Sequence, residues 1–281
     1  MSERDAATRP TPRLLRPFVR LLTSLGSWAM SIAEPVGAMT LTTTSILRAM
    51  VPPRFDSHET WRGLYKVGVQ SYPIVVLTAL FTGAIMVIQS GPYVLKTGAT
   101  SLLGWGAGYA VLAEVGPVLI GLMFSGRVGA NNTAELGTMK VTEQIDALRA
   151  LAIDPIGYLV VPRFVAMIVM LLLLTVLGDL FALVGGALTS EFILRIDWRV
   201  FFQGVFESHL LDEFLTGLIK AVGFGASISI VSCTYGLRVR GGAAGVGRSV
   251  NASVVTSAIG IFVIDYAITW SVAHFPGLGV G

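Results

Sequence analysis

Charge is what this sequence has least of. Charged side chains make up only 13% of its 281 residues, whereas 53% of the residues are hydrophobic. A soluble domain usually carries about 25% charged residues, and a protein with so few charges cannot form a surface that faces water. Most of this surface must therefore face lipid, which excludes a soluble globular domain.

Cysteine is also nearly absent, because Cys233 is the single one. One thiol cannot form an internal disulfide or a cysteine-based metal cluster, and we interpret Cys233 as a small buried hydrophobe. The basic residues are scattered, which argues against nucleic-acid binding. Residues 1–20 carry five arginines and three prolines without a compact apolar core. They predict a cytoplasmic tail rather than a signal peptide.

Motifs for chemistry are missing as well. The sequence contains no G-x-x-x-x-G-K-[ST], and the segment GGAAGVG at 241–247 lacks the G-x-G-x-x-G spacing of a dinucleotide site. We interpret that segment as a flexible cytoplasmic turn. The three histidines lie far apart, and no His/Glu cluster has the spacing of metal ligands. We therefore expect no catalysis, no metal and no cofactor in this chain itself.

Long apolar runs are what the sequence does contain. A membrane-spanning helix needs about 20 apolar residues, and five runs approach this length, at residues 67–89, 103–124, 159–183, 214–235 and 250–272. The predicted fold class is an all-α integral membrane protein with about five transmembrane helices. Residues 14–50 mix apolar and charged residues, which fits a helix lying in the membrane interface. A sixth crossing within 21–47 is the alternative.

The positive charges predict an orientation for these spans. Lys and Arg accumulate in the cytoplasmic loops of membrane proteins. With five spans and a cytoplasmic N-terminus, the inside segments 1–66, 126–163 and 236–249 hold sixteen of the 20 Lys and Arg residues. We therefore predict a cytoplasmic N-terminus and an external C-terminus.

Two connections are longer than turns. The inside connection, residues 127–162, is mixed in charge, and its apolar residues recur at helical spacing. This pattern predicts an amphipathic cytoplasmic helix at about 135–152. The outside connection, residues 195–213, is rich in aromatics and predicts an interfacial helix.

Four charged residues fall inside the predicted spans: Glu114, Asp179, Lys220 and Asp265. Charges are costly in a membrane and are commonly paired or functional there. A structural role, as ion pairs between helices or as snorkelling side chains, is one reading of all four. A functional role is the other reading, and Glu114, beside Gly116-Pro117, is the strongest candidate for it. Lys220 and Asp265 form a hypothetical neutralised pair.

One long stretch carries a resemblance to a known family. Residues 114–164 read EVGPVLIGLMFSGRVGANNTAELGTMKVTEQIDALRALAIDPIGYLVVPRF, which resembles the signature of the MlaE/YrbE permeases. These are the membrane subunits of ABC transporters that work with MCE-domain proteins. The resemblance extends over about residues 60–272 and includes LYKVGVQS before the first span and IKAVGF in the fourth. It covers neither the N-terminal 50 residues nor the outer segment near 195–213 well.

The resemblance implies a fold, partners and a location. It implies a cytoplasmic tail and interfacial helix over residues 1–60 and a permease transmembrane domain over 61–275. It implies a second permease copy (identical or a paralogue), separate ABC ATPase subunits that bind the ATP, an MCE-domain protein, and a lipid substrate, mostly phospholipid. The expected location is the bacterial inner membrane.

Site residues follow from the same resemblance. The family's coupling helix, which docks on the ATPase, matches Thr142, Glu143, Gln144, Ile145, Asp146 and Ala147. Glu114 matches the family's glutamate at the lipid pocket, although the arginine frequent just before it is Ala113 here. Arg127 matches the arginine of the family's A-G-R motif. Further candidate pocket contacts on the first span are Leu80, Gly83, Ala84, Val87 and Ile88, which could equally form a bare dimer interface.

Two other functions fit the same residues. One is a non-transporting membrane scaffold that anchors an MCE protein and an ATPase. The other is a stand-alone ion-coupled carrier that uses Glu114 and Asp265. The absence of a nucleotide motif fits all three functions, so the predicted coupling helix is the feature that discriminates among them.

Overall fold

The structure is a computed structural model that describes residues 16–50, 57–207 and 210–274. These residues form helices joined by short turns, without a strand. In chain order the helices are α1 (Arg16–Ala49), α2 (Ser57–Thr97), α3 (Leu102–Val141), α4 (Gln144–Ala150), α5 (Ile156–Phe192), α6 (Trp198–Glu207), α7 (Leu211–Leu237) and α8 (Gly242–His274). Five of them, α2, α3, α5, α7 and α8, are long and apolar enough to cross a membrane. The predicted all-α membrane fold is confirmed.

Each spanning helix extends beyond its apolar run. α2 has 41 residues, a length of about 60 Å at 1.5 Å per residue, which is about twice the hydrocarbon thickness of a bilayer. The predicted first span, 67–89, is the apolar middle of this helix. Helical hydrogen bonds continue through the polar flanks because they do not depend on the side chains.

Short π-helical turns interrupt two of the spanning helices. α3 contains the π turns Val111–Val115 and Ser125–Gly129 between α-helical segments, and α5 begins with the π turn Ile156–Val160. A π turn breaks the regular backbone ladder and is frequently found at functional sites. The first of these turns contains Glu114.

The predicted cytoplasmic helix at about 135–152 is divided in two. α3 continues to Val141, Glu143 adopts the left-handed conformation with φ 59°, and α4 begins at Gln144. A left-handed residue reverses the local path of the chain and cannot continue an α-helix. The boundary prediction is therefore corrected: residues 135–141 complete a spanning helix, and residues 144–150 form a separate short one.

The two predicted surface helices are present as helices. α1 is a helix of 34 residues that contacts α7 and the start of α5, with Ile46 fully buried near its end. Its position on or across the membrane stays a prediction. α6 is the aromatic helix expected near 195–213, and it packs against the beginning of α3 with Phe201 buried.

The centre of the bundle is a cluster of buried apolar side chains. All five spanning helices contribute: Val75 from α2, Ile120, Phe124 and Val128 from α3, Met167, Leu171 and Leu174 from α5, Phe224 and Ile228 from α7, and Ile261 from α8. α5 is the central helix, because it packs against α2, α3 and α7. α8 lies at the edge of the bundle, with much of its apolar surface exposed.

The contact between α2 and α5 is the most extensive in the bundle and depends on glycine. A Cβ at Gly83 would lie 1.8 Å from the carbonyl oxygen of Ala182, and a Cβ at Gly185 would lie 2.0 Å from that of Leu80. Small residues let membrane helices approach closely, so that van der Waals contact can hold them together. The two glycines therefore set the distance between α2 and α5.

Replacing Gly185 by leucine should push these helices apart. We expect Gly185→Leu to lower the free energy of unfolding by about 3 kcal/mol, the upper part of the usual range for overpacking. The matched control is Gly106→Leu in α3, because nothing lies within 4 Å of a Cβ built there. Thermal stability of the detergent-purified proteins, followed by size-exclusion chromatography, measures the difference. Equal stability of the two variants would contradict this account of the contact.

Candidate functional site

A lysine lies fully enclosed in the bundle among two carboxylates. Lys220 on α7 has an exposed fraction of 0%, and its Nζ lies 2.8 Å from Glu114 Oε1 on α3 and 2.9 Å from Asp265 Oδ1 on α8. It also donates a hydrogen bond of 2.9 Å to the carbonyl oxygen of Ala113, in the π turn. The contact of Lys220 with the Ala113 carbonyl has the geometry of a hydrogen bond. The contact with Asp265 Oδ1 has the distance of an ion pair but not the geometry of a hydrogen bond. Three helices are joined through one cation.

The cluster differs from the pair that the sequence suggested. Lys220 and Asp265 are in contact, and Glu114 is a second anion on the same lysine, so the three side chains together carry one excess negative charge. Glu114 also accepts a hydrogen bond of 3.1 Å from Thr269 and is 39% exposed. It is the member of the cluster that reaches the surface of the monomer. Asp179 lies elsewhere, against Gly116, and neither of its oxygens has a hydrogen-bond partner among the described residues.

The residues predicted to line a lipid pocket are not gathered in one place. Gly83 and Val87 are buried against α5, where Val87 contacts the Gly186 position. The close approach of α2 to α5 encloses these two residues, and their role as pocket residues stays a prediction. Ala84 and Ile88 lie partly or largely exposed on α2, and Leu80 is half-buried. Their role as pocket residues stays a prediction.

The remaining two predicted pocket residues lie far apart on α3. Thirteen residues separate Glu114 from Arg127, which corresponds to about 20 Å along a helix. Glu114 belongs to the lysine cluster, whereas Arg127 lines a cavity near the end of the bundle that carries α4. We call this the α4 end, and the opposite end, which carries α6, the α6 end.

The predicted coupling residues form an exposed handle with one buried anchor. Ile145 is 1% exposed and packs with apolar residues of α1, α3, α5 and α7. Asp146 accepts hydrogen bonds of 2.9 Å from Lys140 and 2.8 Å from Arg149. The hydrogen bond from Lys140 is the main factor that lowers the pKa of Asp146, so this carboxylate is ionised at neutral pH. The other predicted coupling residues, Thr142, Glu143, Gln144 and Ala147, are exposed.

The segment after α4 presents apolar side chains as well. Leu151 is 71% exposed and Ile153 is 38% exposed, and both follow α4, which exposes Asp146 and Arg149. Exposed apolar side chains beside polar ones are typical of a contact surface. The α4 segment thus has the form of a handle, fixed to the bundle on one side and free on the other.

A polar network at the α4 end was not foreseen from the sequence. Glu135 on α3 accepts a hydrogen bond from Lys66 on α2 and lies 3.5 Å from Arg163 on α5, and Arg163 donates a bond of 2.8 Å to Asn132. These side chains line a cavity of about 590 Å³. Asn132 and Glu135 belong to the motif that carried the family resemblance. Their spacing in sequence gave no indication that Lys66 and Arg163 approach them.

These features define a class of protein. A multi-pass helical membrane protein with paired charges inside its bundle and an anchored, exposed handle at one end has the architecture of a transporter subunit. The sequence profile of the permease MlaE family matches residues 60–271. The chain therefore belongs to the MlaE permease family, as its motif indicated.

Proteins similar to this chain along most of its length carry consistent names. A probable ABC transporter permease protein of Rickettsia felis is 36% identical over 254 residues, which cover 90% of this chain and 97% of the relative. A probable ABC transporter permease protein of Synechocystis is 38% identical over 226 residues, with 80% and 85% coverage. The chloroplast protein TRIGALACTOSYLDIACYLGLYCEROL 1 of Arabidopsis thaliana is 34% identical over 220 residues, with 78% and 62% coverage. The chain is thus a permease subunit.

Removing the buried cation should destabilise the bundle. Lys220→Met would leave Glu114 and Asp265 facing each other without a counter-charge, and breaking a buried ion pair in this way costs about 3–5 kcal/mol. We expect a correspondingly lower midpoint of thermal unfolding in detergent. Lys96→Met, an exposed lysine at the α6 end, is the matched control.

Neutralising all three side chains separates charge from packing. Lys220→Met combined with Glu114→Gln and Asp265→Asn should recover most of the lost stability, because no unpaired charge remains. If Lys220→Met unfolded at the same temperature as Lys96→Met, the cluster would have no structural role.

Proposed function

We propose that the protein is the permease subunit of an ATP-driven lipid transporter. In this proposal, the α4 end is cytoplasmic and binds a separate ABC ATPase. A second permease copy completes the membrane part, and an MCE-domain protein exchanges lipid with the outer face. The substrate is a lipid, most simply a phospholipid, which is moved without chemical change between the bacterial inner membrane and the MCE protein.

The observation that carries this proposal is the construction of the α4 handle. Its exposed face, with Glu143 and Leu151, is available to a partner, while Ile145 is enclosed with residues of α1, α3, α5 and α7. A force on the handle would reach several helices at once, because packed interiors shift as units rather than deform continuously. Such a connection is what an ATPase subunit needs in order to move a membrane bundle.

The surface of α2 supports a lipid substrate and a second copy. Leu77, Phe81, Ile85 and Ile88 recur at helical spacing, and each is at least 42% exposed. An apolar stripe of this kind can pack against hydrocarbon tails or against the same stripe of another copy. Two copies with Ala84 and Ile88 near their contact would enclose an apolar cavity. The name of the Arabidopsis relative, which contains that of a galactolipid, agrees with a lipid substrate.

The ion-coupled alternative has less support from the geometry. It needs Glu114 and Asp265 to bind and release protons or ions during transport. Both carboxylates are instead in contact with the enclosed Lys220, at 2.8 Å and 2.9 Å, which ties them to a neighbouring helix. We therefore assign the cluster to joining α3, α7 and α8, so that they move as one unit.

A double substitution in the handle tests the proposal. Glu143→Gly removes the side chain but keeps the left-handed turn, which glycine adopts without strain, and Asp146→Asn removes the second charge. In vesicles with the ATPase and the MCE protein, we expect ATP-dependent lipid flux to fall by about tenfold or more, as for loss of interface hot spots. The complex should still co-purify.

The matched control is Asp212→Asn with Glu213→Gln, which removes two acids at the α6 end. Flux in this variant should equal that of the natural protein. Unchanged flux in the handle variant would contradict the proposal. Flux that persists with a disabled ATPase but collapses without a proton gradient would establish the ion-coupled carrier instead. If the natural protein assembled with the ATPase and the MCE protein but showed no flux, that result would establish the scaffold.

A further inference from the structure

The cavity at the α4 end is large enough for a small ligand. It has a volume of about 590 Å³ and lies between α2, α3 and α5. Ligand sites in proteins are typically about 300–1,000 Å³. It is separate from the predicted pocket stretch on α2, because Leu80 follows Lys66 at the cavity by fourteen positions, or about 20 Å of helix.

The charge of the cavity is strongly positive. Four cations line it, namely Arg62, Lys66, Arg127 and Arg163, against one anion, Glu135. Lys66 and Arg163 both contact that glutamate. The lining therefore holds more cations than anions, which favours an anionic ligand.

One of these cations has no partner in the chain. Arg127 is exposed, lines the cavity, and forms no ion pair or hydrogen bond with any residue that the structure describes. A guanidinium presents five N–H donors in a planar fork that matches the oxygens of a phosphate or carboxylate. Asn131 and Asn132 line the same cavity, with their amide groups already bonded to neighbouring side chains. Arg127 is therefore the group in this cavity that is best suited to bind a phosphate-like anion.

Apolar side chains line part of the cavity as well. Val67 follows Lys66 directly, and Met167 lies one helical turn after Arg163, with Ala166 beside it. A free anion gains nothing from such a wall, whereas an acyl or glycerol group loses water against it. The combination of a cationic rim and an apolar wall fits an amphipathic anion.

We propose that this cavity binds the phosphate headgroup of an anionic lipid, with Arg127 as a direct ligand of the phosphate. The inference rests on the proposed function in placing lipid at the α4 end, and it assigns Arg127, one of the predicted pocket residues, to a second lipid site near the handle, distant from the predicted pocket stretch on α2. A lipid bound here would contact α2, α3 and α5 at their α4 ends. Movement of the handle would then change the cavity that holds the headgroup.

Photo-crosslinking tests this site without requiring transport. The full chain is reconstituted in phosphatidylcholine vesicles with a trace of phosphatidic acid that carries a photoreactive group near its glycerol. Labelled peptides are mapped by mass spectrometry. We expect labelling at Val67 and Met167 that excess unlabelled phosphatidic acid removes. Arg127→Gln should reduce it by about tenfold, the effect of losing a hydrogen bond to a charged group.

Matched variants separate a specific ligand from general charge. Arg195→Gln removes an exposed arginine at the α6 end and should leave the labelling unchanged, while Arg127→Lys should retain part of it because the charge remains. Equal labelling of Arg127→Gln and the natural protein would overturn the proposal. Competition by inorganic phosphate as effective as that by phosphatidic acid would show an ion site instead of a lipid site.

The partner ATPase supplies the last comparison. If its binding abolished labelling in every nucleotide state, the cavity would be part of the docking surface and the proposal would be overturned. Labelling in the complex that changes with nucleotide supports it. ATP-dependent flux is measured separately on the same complexes. If Arg127→Gln showed flux and unaltered labelling, the proposed transport function would be retained and the proposed headgroup site would be rejected. If labelling were specific but no flux occurred, the headgroup site would be retained and the transport function would be rejected.

Discussion

The hydrocarbon core of a bilayer offers no hydrogen-bond partners, so each polar group within it must be satisfied by another part of the protein. Backbone groups meet this constraint by forming helices. Side chains meet it by joining helices, as when Lys220 contacts groups on α3 and α8. Thr133 of α3 does the same by donating to Ser253 of α8 at 2.9 Å. The few polar side chains inside the bundle thus specify which helices are neighbours.

Tight backbone packing and polar contacts divide the bundle into two groups of helices. Gly83 and Gly185 bring α2 and α5 so close that these two helices behave as one body. The lysine cluster joins α3, α7 and α8. At the α4 end, Glu135 connects the two groups by contacting Lys66 and Arg163. The handle and the basic cavity lie at this junction, where a small relative movement would have the largest effect.

Much of the fold could be predicted from the sequence because hydropathy acts over a whole segment. Five apolar runs give five spanning helices, and the motif at 114–164 identifies the family. The helix ends could not be predicted, because helical hydrogen bonds continue into polar flanks. The break at Glu143 could not be predicted either, since a non-glycine residue in the left-handed conformation leaves no signal in composition.

The site residues could be predicted only in part. The contact of Lys220 with Asp265 follows from the cost of lone charges. The packing of Gly83 and Val87 against α5 could not be predicted, because an apolar contact with lipid and one with a helix look alike in sequence.

The enclosed lysine also has a consequence for biogenesis. Glu114 enters the membrane early in synthesis, but Asp265 lies in α8, the last spanning helix. α7 therefore reaches the bilayer with only one of its two counter-ions in place, and the second arrives when translation is nearly complete. A chain interrupted before α8 would expose Lys220 and its neighbours to lipid on one side. The contacts of Lys220 are therefore complete only when α8, the last spanning helix, has entered the membrane.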